Sequence, residues 1–227
     1  MPFSEDTLDF LALNRVMNSR EWFREHRAEY EKLVVEPLAE LVEDLAPAMA
    51  EIDPAIVCLP RVGKSISRIW RDTRRGPELP IYRDVMWITL LREKYAGLPS
   101  YWFEFSPRAL RWGCGWYQTP PEVMGAAREL ILSGDRHWLR AREAAGNRRF
   151  VLENELYKRT RHPDSPAEER MWLDQKSLCL THNEEGISLL YSPELAERVA
   201  EDFRAVAPVY DFFMRAWERA PKEAMRR

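Results

Sequence analysis

The sequence predicts an α+β fold with a helical N-terminus, a central, mainly antiparallel sheet and C-terminal helices packed on that sheet. Three observations carry this. Apolar residues recur at helical spacing from Ser4 to Pro47. The period changes to two between Ser65 and Tyr117, with turn-rich links between the alternating segments. Helix-start signals then return from Thr119 onward. With 227 residues and no low-complexity linker, the expectation is a single domain over residues 1–227.

Ser4, followed by Glu5 and Asp6, opens the first helix, with acids at the positive end of the macrodipole and Leu8, Leu11 and Ala12 at helical spacing. Ser19 opens a second. It carries the rows Trp22, His26, Glu29, Leu33 and Phe23, Arg27, Tyr30, Val34, and Pro37 kinks or restarts it before Leu38, Leu41, Val42 and Leu45. Ser65–Arg71, Val85–Arg92, Tyr101–Phe105 and Leu110–Trp116 read as strands. In the last of these, Gly113 and Gly115 leave a side-chain-free strip open to another backbone or a ligand. Thr119-Pro-Pro-Glu122 and Ser165-Pro-Ala-Glu168 read as capping boxes, and Asp135 opens a helix closed by Gly146. Phe150–Tyr157 and Lys176–Thr181 each add a strand. Ser192-Pro193-Glu194 starts one long final helix running past Pro208.

Composition excludes several classes. Nine Trp, nine Phe and eight Tyr exclude disorder, and no apolar run reaches membrane-spanning length. The N-terminus lacks the charged and apolar regions of a signal peptide. Cys58, Cys114 and Cys179 show no paired spacing. A cytoplasmic protein with three free thiols, no disulfide and no structural zinc is expected. The dinucleotide, P-loop, nucleophile-elbow and zinc-protease signatures are all absent, and His26, His137, His162 and His182 lack metal-ligand spacing. No metal and no cofactor are expected.

Charge is the feature that points to chemistry. From Arg61 to Arg83 stand seven Lys or Arg residues against Asp72 and Glu78, a local +5 in a chain of net charge −3. They lie among Ile66, Ile69 and Trp70, so the guanidinium groups sit on a structured surface, where they suit bidentate capture of carboxylate or phosphate. Arg68, Arg71, Arg74 and Arg83, with Tyr82 to orient the ligand, are the candidate binding residues. Asp72 and Glu104 are the candidate general bases. The competing reading of Arg68, Arg71 and Asp72 is an ion-pair network that fixes strand register, and such networks mimic functional sites.

Several stretches carry a family resemblance. Asn18-Ser-Arg-Glu-Trp-Phe-Arg-Glu-His-Arg-Ala-Glu-Tyr-Glu31, Arg68-Ile-Trp-Arg-Asp-Thr-Arg74, Gly113-Cys-Gly-Trp-Tyr117 and Asp174-Gln-Lys-Ser-Leu178 resemble, in order and spacing, the motifs of a bacterial family catalogued as domain of unknown function 2461. The resemblance covers nearly the whole chain and implies one α+β domain, without implying an activity. This chain departs from the family pattern after Arg74, where a lysine pair gives way to Arg75-Gly-Pro-Glu-Leu-Pro-Ile-Tyr-Arg83.

Three functions stay open at this level. The first is an anion- or phosphate-recognising domain whose partner is an anionic small molecule. The second is a hydrolase or transferase acting on a phosphorylated or acidic small molecule, with the arginines stabilising developing charge. The third is an interaction module for nucleic acid or an acidic protein. The near-neutral net charge and the absence of nucleic-acid-binding signatures weigh against its nucleic-acid form. No membrane partner is expected, and the sequence leaves the oligomeric state open.

Overall fold

The computed structural model describes residues 3–76, 78–93, 96–146 and 149–221. In chain order the main elements are α1 (Glu5–Met17), α2 (Arg20–Glu25), α3 (Arg27–Tyr30), a π-helical turn (Glu31–Val35) and α4 (Glu36–Ile52). There follow β1 (Met86–Leu90), β2 (Ser100–Ser106), β3 (Ala109–Gly115), α5 (Pro121–Leu132), α6 (Arg136–Ala145) and β4 (Val151–Leu152). The chain continues through α7 (Ala167–Leu173), β5 (Cys179–Asn183), α8 (Leu195–Ala205) and α9 (Ala207–Arg219). The strands form one antiparallel sheet in the order β1-β2-β3-β5-β4, and the α+β fold is as the sequence predicts.

The chain packs into two compact units. One comprises Met1–Leu90, Trp102–Trp112 and Asn183–Glu201; the other comprises Leu91–Tyr101, Gly113–His182 and Asp202–Arg227. β2 and β3 contribute residues to both.

In the first unit, α1 buries Thr7, Phe10, Leu11 and Asn14, a stripe shifted from the expected Leu8, Leu11 and Ala12. The reason is aromatic: Phe10 packs against Trp22 and Tyr30, at centroid distances of 5.7 and 6.2 Å. The expected single second helix breaks at His26, and a π turn precedes α4. Pro37 has no N–H to give the carbonyl of Leu33, four residues back. The Thr7 hydroxyl takes that place, donating to Leu33 O at 2.9 Å. β1, β2 and β3 bury alternate residues, including Ile88, Phe103, Phe105 and Trp112, as their period requires.

The expected strand Ser65–Arg71 forms only two isolated bridges to the segment before and within β1, Ile66–Ile88 and Trp70–Tyr82. Three residues lie between the bridges on one side and five on the other, so the extra residues bulge out around Asp84 and a regular ladder cannot form.

In the second unit, Tyr101 of β2 packs on Phe203 of α8 and Tyr210 of α9, and Trp116 packs on Phe213 of α9. These contacts seat the C-terminal helices on the sheet. The expected final helix is two helices, divided at Val206, with Pro208 in the first turn of α9. Both capping-box readings are corrected. α5 and α7 begin after Pro120 and Pro166, neither with a side-chain cap. The Thr119 hydroxyl instead accepts the Leu178 N–H at 2.8 Å and pairs with the Ser177 hydroxyl at 2.9 Å. Asp135 does cap α6, accepting the His137 N–H at 2.8 Å. The glycine strip of β3 is filled by another backbone, that of β5. A Cβ at Gly113 would lie 2.0 Å from Leu180 O, and one at Gly115 would lie 2.3 Å from Leu178 O.

Candidate functional site

The candidate residues lie in the first unit, where 68–72 meets 81–84. Arg71 N–H donates to Ile81 O at 2.7 Å and Arg83 N–H donates to Ile69 O at 2.8 Å, framing the directly opposed pair Trp70 and Tyr82. In that antiparallel pattern Arg71 and Arg83 are diagonal neighbours on one face, with Trp70 and Tyr82 on the other. The Asn18 side-chain oxygen, at the left-handed end of α1, accepts the Ile81 N–H at 2.7 Å. Asp84 receives Arg15 at 2.9 Å and Arg108 at 3.3 Å, which ties the bulge to α1 and to the β2–β3 turn.

Arg71 and Arg83 form the unusual part of this arrangement. Burial, and then the positive charge of Arg71, weaken Arg83's hold on its proton relative to a free guanidinium. Arg83 Nη1 donates to Arg68 O at 2.9 Å, and its guanidinium lies 4.9 Å over the Trp87 ring. Arg71 Nε is buried and has no hydrogen-bond partner among the described residues. The two guanidinium groups thus repel one another, and among the described residues neither has a carboxylate partner. The two acids closest in sequence are committed elsewhere: Asp84 to Arg15 and Arg108, and Asp72 to Arg74.

The other predicted site residues are placed differently. Arg74 is exposed and closes on Asp72 through two hydrogen bonds, and Asp72 also caps a short 3₁₀ turn at Arg74 N. This local pair strengthens Arg74's hold on its proton. Tyr82 is buried against Phe23 at 4.9 Å, and burial, partly offset by the charge of Arg20, raises its phenol pKa. Arg68 is exposed and lies against Gly63, whose positive φ of 82° lets the chain turn beside it. Glu104 pairs with Arg111 at 2.7 Å, and Arg111 lies over Trp102. Both candidate general bases thus hold guanidinium partners.

Among the described residues, Arg61, Lys64 and Arg68 also stand without a carboxylate partner; the Arg75 side chain lies outside those residues. Sequence reading passed over Asn18 and Asp84 as individual positions. Their signals were a helix-ending Asn and an acid closing the basic segment.

Among the described residues, no group of three His, Cys, Asp or Glu side chains is arranged to hold a metal ion. Cys58, Cys114 and Cys179 are in no disulfide, and burial pushes the Cys114 thiol well above its ordinary range. No described helix is long and apolar enough to cross a membrane.

No curated protein matches the chain. A protein-family pattern matches it from residue 6 to residue 212, through the helical start, the basic segment with Arg71 and Arg83 and the glycine strip, and into the first turns of α9. On that match the chain belongs to the family described as conserved hypothetical protein (DUF2461).

Proposed function

We propose that the protein is an anion-recognising domain, with Arg71 and Arg83 as the pair that grips the anion and Arg68 beside them. The observation that carries this is the unpartnered, buried Nε of Arg71 next to the half-buried charge of Arg83. A buried polar group left unpaired costs about 1–3 kcal/mol, and more when it is charged. A carboxylate or phosphate oxygen between the two guanidiniums would remove that cost and the mutual repulsion together. Arg74 and Tyr82 support the site from outside, Arg74 by holding the Asp72 carboxylate and Tyr82 by packing on Phe23. Three cysteines in no disulfide fit a reducing compartment, and we assign the protein to the cytoplasm on that ground.

A thermal-shift screen of phosphate, pyrophosphate and dicarboxylates tests the reading, because a ligand that binds the folded state raises the melting temperature. Isothermal titration with the best anion should then show a loss of roughly 10- to 150-fold for Arg71→Ala and for Arg83→Ala, the equivalent of about 1.5–3 kcal/mol per charged hydrogen bond. Parent-like affinity in both variants overturns the assignment.

A further inference from the structure

We infer that the anion is the phosphodiester backbone of a single-stranded nucleic acid, running along the outer edge of the 61–71 segment. The inference rests on the anion-binding reading above and names its ligand class.

The first argument is the spread of charge. β1 lies at one end of the sheet, its neighbour inside the sheet is β2, and the 65–71 segment bridges to its other side. Apart from the Val62–Ile66 bridge, no described residue forms a β-bridge with the far side of that segment. Ser65 and Ile66 are covered there by backbone bonds to Leu59, Arg61 and Gly63, while beyond them Arg68 and Trp70 are exposed. Among the described residues of the 61–71 segment Arg61, Lys64, Arg68 and Arg71 have no carboxylate partner, and neither has Arg83 on the paired 81–84 segment. Arg71 and Arg83 share one face, and Arg61 stands ten residues before Arg71. A compact anion is held by Arg71 and Arg83 with Arg68 beside them, and it leaves Arg61 and Lys64 without a role. A chain of phosphates uses all five.

The second argument is Trp70. It lies between Arg68 and Arg71 on the opposite face from Arg71 and Arg83, and it is 48% exposed. An indole held open beside cations is a stacking platform, and base stacking needs no particular base. That feature separates a nucleic-acid strand from an acidic peptide, which has charge without flat rings. It also requires unpaired bases, so the ligand is single-stranded. The net charge of −3 gives no general attraction to a polyanion, so binding must come from this segment.

Fluorescence anisotropy with a labelled oligouridylate and the matching oligothymidylate, across a salt series, tests the inference. Pyrophosphate and polyglutamate are run in parallel. For a single strand the logarithmic salt slope is about −0.7 per phosphate contacted, so five contacts predict a slope of about −3.5. The Arg61→Ala/Lys64→Ala double variant should make the slope shallower by about 1.4 while pyrophosphate binding is unchanged. Trp70→Ala should weaken oligonucleotide binding about tenfold with the slope unchanged, which a merely electrostatic site would not do. All three substituted side chains are exposed, and thermal melts confirm that the variants remain folded.

A slope no steeper than one contact, with pyrophosphate binding intact, overturns the inference and leaves a compact-anion site. Polyglutamate binding as tightly as the oligonucleotide overturns it in favour of an acidic protein. Binding of neither oligonucleotide nor pyrophosphate overturns the anion reading itself.

Discussion

Arg74 closes on the carboxylate of Asp72 with two nitrogens, Nε to Oδ1 at 2.9 Å and Nη2 to Oδ2 at 2.7 Å. The pair is exposed, and solvent screening leaves such pairs little weight in stability. Its consequence lies in charge placement, because an Asp72 held by Arg74 is not available to Arg71. Arg74→Ala is therefore expected to leave the melting temperature nearly unchanged and to weaken anion binding. Adding Asp72→Asn should restore it. Titration calorimetry of the single and double variants checks this. A single variant that binds as the parent does would remove Arg74 from any positioning role.

Asp84 anchors the bulge beside the site through Arg15 and Arg108, with only 15% of its side chain exposed. Asp84→Ala should cost about 2–3 kcal/mol by urea unfolding, the range for hydrogen bonds to a buried charge. Arg108→Ala should cost much less, because that guanidinium is largely solvated. Equal costs would show that Asp84 acts through something other than its inner partner Arg15.

Three glycines should respond with opposite signs to alanine. At Gly113 and Gly115 a Cβ meets β5 carbonyl oxygens at 2.0 and 2.3 Å, and Gly115 has φ 131° besides. Gly113→Ala and Gly115→Ala should each destabilise by about 3 kcal/mol or more, or fail to fold. Gly125, inside α5, has nothing within 4 Å of its Cβ position, so Gly125→Ala should gain about 0.5–1 kcal/mol. Thermal melts of the three decide it.

The hydroxyl of Tyr30 is buried and has no partner among the described residues. Burial, with a smaller push from Glu31 and an opposing pull from Arg27, raises its pKa far above the usual value for a phenol. A raised folded-state pKa contributes stability that is whole below the unfolded value of about 10 and is lost as pH climbs above it. Tyr30→Phe should remove that alkaline loss. At neutral pH it should be neutral or stabilising by up to about 1 kcal/mol, because it deletes an unsatisfied group. Urea unfolding at pH 7 and above pH 10 reads both effects; a destabilised Tyr30→Phe at pH 7 would mean the hydroxyl has a partner.

Local pattern carried most of the fold. The period-two segments Tyr101–Phe105 and Leu110–Trp116 are strands because alternate apolar side chains need a buried face. Likewise, Ser19 and Asp135 cap helices because their partners are two or three residues away. Composition and charge also marked Arg61–Arg83 as the place to look for function. What local pattern could not carry was any choice between distant partners. Thr119 has the spacing of a capping residue, but its hydroxyl bonds Ser177 and Leu178, 58 and 59 residues on. Arg74 and Arg71 read alike in sequence. The Asp72 beside them pairs with Arg74, and only the antiparallel pairing with 81–83 sets Arg71 against Arg83, twelve residues away. Secondary structure follows from forces that act within a turn or a pleat. The candidate site depends on which charges are left without partners once the chain has closed on itself, and that is decided by tertiary packing.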